Sequence, residues 1–391
     1  PIPEYEIPLR LVGLGDVYKR QMLGIEFPLL AFSHCRDVVA AVSKAGGMGV
    51  FGAVNLPPDR LKEELDWIES NVDGMPYGID LIVPNKFEGK GEKITTEQLV
   101  NAIPQGHRDF TKEILSNHDI ETDDLVDLKD GAAQFRMNLS DEGAATSLEV
   151  AFQYPIKLVA NALGVPPKVM LEMGKKHNVA VAALVGAKEH AVKQVEAGVD
   201  ILIASGGEAG GHCGDVSTMV LIPEVYRAIK SIKDVPILAA GGITTGSQMA
   251  AAMSMGASGA WCGSVWLTTS EAETNPIVKE KMLLASSRDT VRSRSRTGKY
   301  SRQLRSPWTD AWEEKGPEPL PMPLQSLVSE PALKKIDKLS QSGHKGAKNL
   351  ATYWVGQGVG LMDQPMSAGA VVQDFKKDFA EAFERLNHFF E

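Results

Sequence analysis

From about residue 27 to residue 270 the chain alternates short, unbroken apolar runs with longer amphipathic stretches. Eight runs read as strands: Pro28–Phe32, Met48–Gly52, Tyr77–Val83, Ile156–Ala160, Val179–Leu184, Ile201–Ala204, Val235–Ala240 and Gly259–Gly263. Most are apolar at every position, the pattern of strands buried on both faces of a parallel sheet. Helix-like stretches between them indicate βα units, and eight units are the number that closes a (β/α)8 TIM barrel. Two units look like internal repeats, Val179–Gly206 and Val235–Gly263. Each runs from strand through an Ala-rich helix to a glycine stop, Gly198 or Gly256, suited to a left-handed helix end.

Two regions break this rhythm. Residues 84–150 are polar and helix-like, with turn signals at Pro84-Asn85 and Asp130-Gly131. Residues 268–350 follow the last strand and hold a basic run, Arg292-Ser293-Arg294-Ser295-Arg296. Barrels carry function on the loops after their strands, so this inserted helical segment is expected to cap the mouth. The expected organisation is therefore a leader at 1–21, a barrel at 22–267, a cap at 268–350 and a segment at 351–391 that packs back on the barrel. The leader resembles a translated sequencing adaptor at Asp16–Gln21, before Met22.

Composition adds exclusions. The chain has 391 residues, 43% hydrophobic and 23% charged, with a net charge of −9. That acidic excess argues against a nucleic-acid surface or an anionic membrane as partner. No apolar run reaches membrane-spanning length. Three scattered cysteines give neither a disulfide framework nor zinc spacing, so no metal is expected and a reducing cytoplasm fits.

The chemistry concentrates at strand ends. Ser205–Gly214 holds five glycines around His212, so backbone can approach a flat ligand with an acid–base group at hand. Gly241-Gly242 and Gly263-Ser264 follow strands seven and eight, where many barrels hold a phosphate. Asp80, His34 and Lys157 are further candidates for the mouth, and Arg292, Arg294, Lys299 and Arg302 for contact with an anionic substrate. The remaining histidines, His107 among them, read as solvated. These residues alone also permit a flavin-free phosphate-sugar isomerase or synthase.

The runs GGEAGGHCGDVSTMVLIPEV, VPILAAGGI, GASGAWCGS and IKLVANALGVPP resemble the nitronate monooxygenase (2-nitropropane dioxygenase) family. The resemblance covers most of residues 22–270 and returns at Val355–Gly360. It implies an FMN-dependent barrel that oxidises alkyl nitronates with O2 to a carbonyl compound and nitrite. It makes His212 the active-site histidine and puts Asp80, Ser205, Gly210, Gly242, Trp261, Cys262, Gly263 and Ser264 at cofactor contacts. Gly211 and Gly241 join them from the glycine loops themselves. The family usually has Asn where this chain has Asp80, Gln where it has Ser205 and Thr where it has Ser264. Its runner-up is an enoyl-thioester reductase using NAD(P)H, which shares the EAGGH and AAGGI signatures. A flavin-binding protein without turnover is the remaining alternative.

Overall fold

The computed structural model describes residues 22–54, 56–81, 95–123, 125, 141–162 and 164–388. The expected leader and both expected turn signals of the first excursion lie outside these residues. The barrel strands are β1 (Leu29–Ser33), β2 (Met48–Gly52), β3 (Tyr77–Leu81), β4 (Leu158–Asn161), β5 (Ala180–Val185) and β6 (Ile201–Ser205). A two-residue strand outside the barrel, β7 (Gly211–His212), precedes β8 (Ile237–Ala240) and β9 (Gly259–Cys262). The eight barrel strands pair in parallel and close through β1 and β9, with Leu30 opposite Trp261. This is the expected (β/α)8 architecture.

Alternation along each strand sorts its residues between two apolar layers. Leu30, Met48, Val50, Leu158, Ala182, Ile203 and Trp261 fill the barrel interior. Their neighbours Leu29, Ala31, Leu202, Ala204, Ala239 and Cys262 face the helices around it. The repeat-unit glycines stop their helices as expected, with φ of +96° at Gly198 and +116° at Gly256. Helix Ala368–Asn387 lies against helix Gly246–Ser254; a Cβ on Gly246 would sit 2.1 Å from the Phe375 carbonyl oxygen.

The two excursions meet each other. Helices Thr96–Asn101 and Gln105–Ser116 leave after β3; helices Pro276–Leu284, Pro307–Glu314, Leu324–Gln341 and Lys345–Leu350 come after β9. They share a second apolar core in which Leu115, Met282, Trp308, Leu327, Leu350 and Val355 are buried together. Burying a side chain the size of Leu115 stabilises by about 1.5–3 kcal/mol, so neither excursion keeps its apolar stripe covered alone. Between these helices a hairpin, β10 (Thr290–Ser293) and β11 (Ser301–Leu304), extends to β7 as a three-stranded antiparallel sheet.

Candidate active site

The innermost layer at the C-terminal mouth holds Phe32, Asp80, Leu184, Ser205 and Trp261. Tyr77, Ile79 and Leu81 pack outward on the helices, so Asp80 points inward. It is 2% exposed, and its Oδ1 has no hydrogen-bond partner among the described residues. Burial without a counter-charge pushes its carboxyl well above the usual range, which favours the protonated form. Ser205 shares the inward face of Ile201 and Ile203. Trp261 stacks on Phe32 with centroids 6.1 Å apart and rings 23° from parallel. His34 lies edge-on to Phe32, and its Nδ1 is 2.7 Å from the Gly52 carbonyl.

Cys262 departs from expectation in one respect. Its side chain belongs to the outer apolar layer, its thiol pushed up by burial, so at most its backbone serves the mouth. Lys157 also departs: it is exposed just before β4, at the opposite end of the barrel.

The loops after β6, β8 and β9 are tied together. Glu208 accepts the Thr218 N–H at 2.8 Å, and its Oε2 is 3.0 Å from the Thr218 hydroxyl. Gly241 and Gly242 take φ of +103° and +72°, a region closed to most side chains. Gln248 donates to the Gly242 carbonyl (2.9 Å) and accepts the Thr244 N–H (2.9 Å), fixing that turn. Ser264 Oγ accepts the Gly356 N–H at 2.8 Å and keeps its own proton to donate. Around Gly263 there is room, since a Cβ would meet only Phe32, at 3.8 Å. The first turn of helix Gly246–Ser254 is already engaged, its Ser247 N–H donating to Asp378.

Gly210 is a glycine for a different reason than closeness to a flat ligand. A Cβ there would lie 2.7 Å from the Gly356 nitrogen, so the 355–358 backbone requires it. Gly211 has φ of +74° and open space beyond.

His212 is held from the cap. In β7 it pairs with Ser301 of β11, and Gly211 pairs with Arg302. Its Nε2 is 2.8 Å from Thr297 Oγ1, and its ring lies 6.3 Å from Trp354. Desolvation first, then the positive charges of Lys299 and Arg296, lower its pKa to about 4, so the ring is neutral at neutral pH.

The cap cations divide. Arg302 grips the Gly207 carbonyl through Nε (2.9 Å) and Nη2 (2.8 Å), and Arg294 pairs with Glu318. Arg292 stacks on Tyr300 at 4.2 Å. Two of the expected substrate contacts, Arg294 and Arg302, are therefore engaged in holding the cap and the glycine loop. His107 is buried, not solvated, with Nε2 2.9 Å from the Glu318 carbonyl. Thr297, Trp354 and Gln248 escaped the sequence reading. Only the Gly-x-Gly-x-Gly run at 356–360 carried a visible signal.

Residues 20–378 match the family model described as nitronate monooxygenase. The chain is 50% identical to a Mycobacterium tuberculosis protein named "Putative monooxygenase Rv1533", over 94% of this chain and 97% of that one. It is 27% identical to a "Probable nitronate monooxygenase" of Staphylococcus saprophyticus, over 93% and 98%. The nitroalkane oxidase of Streptomyces ansochromogenes shares the fold, with a TM-score of 0.76 at 22% identity, covering 94% and 99%. FabK of Thermotoga maritima does so with 0.69 at 26% identity, covering 95% and 98%.

Proposed function

The chain belongs to the nitronate monooxygenase family and is a flavin-dependent oxidoreductase, and from that premise we propose that it uses FMN to oxidise alkyl nitronates with O2, giving a carbonyl compound and nitrite. The observation that carries the reading is a neutral imidazole, His212, pinned by the cap beside a glycine-lined barrel mouth. The mouth residues suit FMN. Asp80 offers a buried oxygen without a partner, and the Gly263 backbone leaves room for close approach. Gly241, Gly242, Gly263 and Ser264 would hold the phosphate; Asp80, Ser205 and Trp261 would border the ring, with Gly210 and Gly211 in the loop beside it. In its protonated form Asp80 would present a donor beside an acceptor, as the amide usual in the family does, with one donor hydrogen fewer.

Bound FMN supplies the electron acceptor and the route from substrate to O2. The protein's part is proton handling, orientation and exclusion of water. A neutral His212 can take the carbon-bound proton of a nitroalkane; a pre-formed nitronate has already lost it. In this reading residues 22–267 are the cofactor barrel, 268–350 the main part of the cap, and 351–391 the returning segment. Among the described residues no helix is long and apolar enough to cross a membrane.

The test uses anaerobic protein. A nitronate should bleach the flavin absorbance, and admitting O2 should restore it with release of nitrite. Bleaching by NADH with no response to nitronates would replace this reading with the enoyl-thioester reductase. His212→Asn should keep FMN and lose roughly 10²–10⁴-fold in turnover on neutral nitroalkanes, with a smaller loss on nitronates. Full activity of that variant on neutral nitroalkanes would remove the base role.

A further inference from the structure

We propose that Thr297 is a positioning residue that holds His212 as the Nε2–H tautomer, which makes Nδ1 the ring atom that receives the substrate proton. The inference rests on the reading of His212 as a base and adds which atom acts and what selects it.

Hydrogen-bond accounting around one hydroxyl selects the tautomer. Thr297 Oγ1 lies 2.8 Å from His212 Nε2, 3.3 Å from the Lys299 carbonyl oxygen and 3.3 Å from the Lys299 nitrogen. The hydroxyl has one proton to give. If Nε2 carries hydrogen, it donates to Oγ1, and Oγ1 donates to the Lys299 carbonyl while accepting the Lys299 N–H. All three contacts are then made. If Oγ1 instead donates to Nε2, the bond to the Lys299 carbonyl is lost. The ring proton then sits on Nδ1, which has no acceptor among the described residues. The first arrangement keeps one more hydrogen bond, worth about 0.5–1.5 kcal/mol, and so wins.

The surroundings keep this imidazole uncharged before it acts. Arg296 is 7% exposed, lies 3.9 Å over the Trp354 ring, and is clamped by Glu330 at 2.8 and 3.3 Å. Trp354 donates its indole N–H to Ser301 Oγ at 3.2 Å and stands beside His212. Lys299 and Arg296 are the charges that face the ring, and Glu330 acts on it through Arg296. In the proton step the Nδ1 lone pair takes hydrogen from the α-carbon. The C–H electron pair stays on the substrate, which becomes the nitronate. The imidazolium keeps its Nε2–H on Thr297.

The test is long-range proton–nitrogen NMR of FMN-loaded protein carrying nitrogen-15 histidine, with the His212 signals identified by their absence in His212→Asn. The wild type should show the Nε2–H pattern. Thr297→Val should shift it to a mixture or to Nδ1–H, and Thr297→Ser should restore it. Turnover on neutral nitroalkanes should fall about tenfold in Thr297→Val, the worth of one ordinary hydrogen bond. Its turnover on pre-formed nitronates should fall less than that, and its FMN content should stay near that of the wild type. An Nδ1–H pattern in the wild type overturns the proposal even if Thr297→Val does not fold. So does a Thr297→Val protein with unaltered tautomer and rate. Full activity of His212→Asn on neutral nitroalkanes would instead sink the base reading, and with it the Nδ1 step. The spectra judge the hold of Thr297 separately.

Discussion

At the scale of single residues, Asp80 carries the strongest consequence. A buried carboxyl without a partner is expensive as an anion, so the native state binds a proton that the unfolded chain releases. Its folded pKa lies above the unfolded value of about 3.9. Stability from this group is therefore greatest below about pH 4 and declines as pH rises toward the folded pKa. Asp80→Asn removes that dependence. In flavin-free protein the variant should melt higher than the wild type at pH 8, and the gap should narrow at pH 5. A gap that does not change with pH would mean that Asp80 is ionised in the fold. The inward direction of Asp80 was open to argument from its apolar neighbours, because Tyr77, Ile79 and Leu81 share the other face. Trp261 and Cys262 were not separable in the same way. Both lie in a run buried on both faces, and alternation says only that they part, not which one faces the mouth.

At the scale of elements, the barrel strands were legible because burial on both faces confines polar residues such as Ser33, Asp80, Asn161 and Ser205 to their C-terminal ends. The strands β7, β10 and β11 were not. They are two to four residues long and polar, as in Thr290–Ser293 and Ser301–Leu304, and their pairing is decided by a partner far along the chain. The glycine run at 356–360 was visible, but its docking site was not. The structure lays it across the loops after β6, β8 and β9: Gly356 bonds Ser264, Gln357 bonds Glu208, and Gly358 closes on Gly242. This predicts the outcome of Gly210→Ala. The added methyl would lie 2.7 Å from the Gly356 nitrogen and 2.8 Å from the Val355 carbonyl carbon, backbone that cannot rotate away. Overpacking of this kind costs about 1–3 kcal/mol. Hydrogen exchange should show residues 355–360 less protected in the variant, with the β1–β5 amides unaffected. Unchanged protection at 355–360 would show that the segment is not held by this contact.

At the scale of the whole molecule, the catalytic candidate and the cofactor candidates belong to different bodies of packing. Asp80, Trp261 and the glycine loops are built on barrel strands; His212 is paired to a hairpin that the cap holds. The cap depends on a core assembled from two excursions, which made His107 look solvated when helix Gln105–Ser116 was read alone. A lesion deep in that core should reach His212 through β11 and Thr297 and leave the cofactor loops in place. Leu115 is the cleanest site, since it is fully buried and lies in the other excursion from Thr297. Leu115→Ala should cost roughly 2–5 kcal/mol of cap stability. Exchange protection at residues 290–304 should drop, and turnover on neutral nitroalkanes should fall, while FMN content stays near that of the wild type. If the variant instead loses FMN in proportion to turnover, and protection falls equally in the eight barrel strands, barrel and cap open as one cooperative unit. The cap would then have no separate equilibrium through which it could admit substrate.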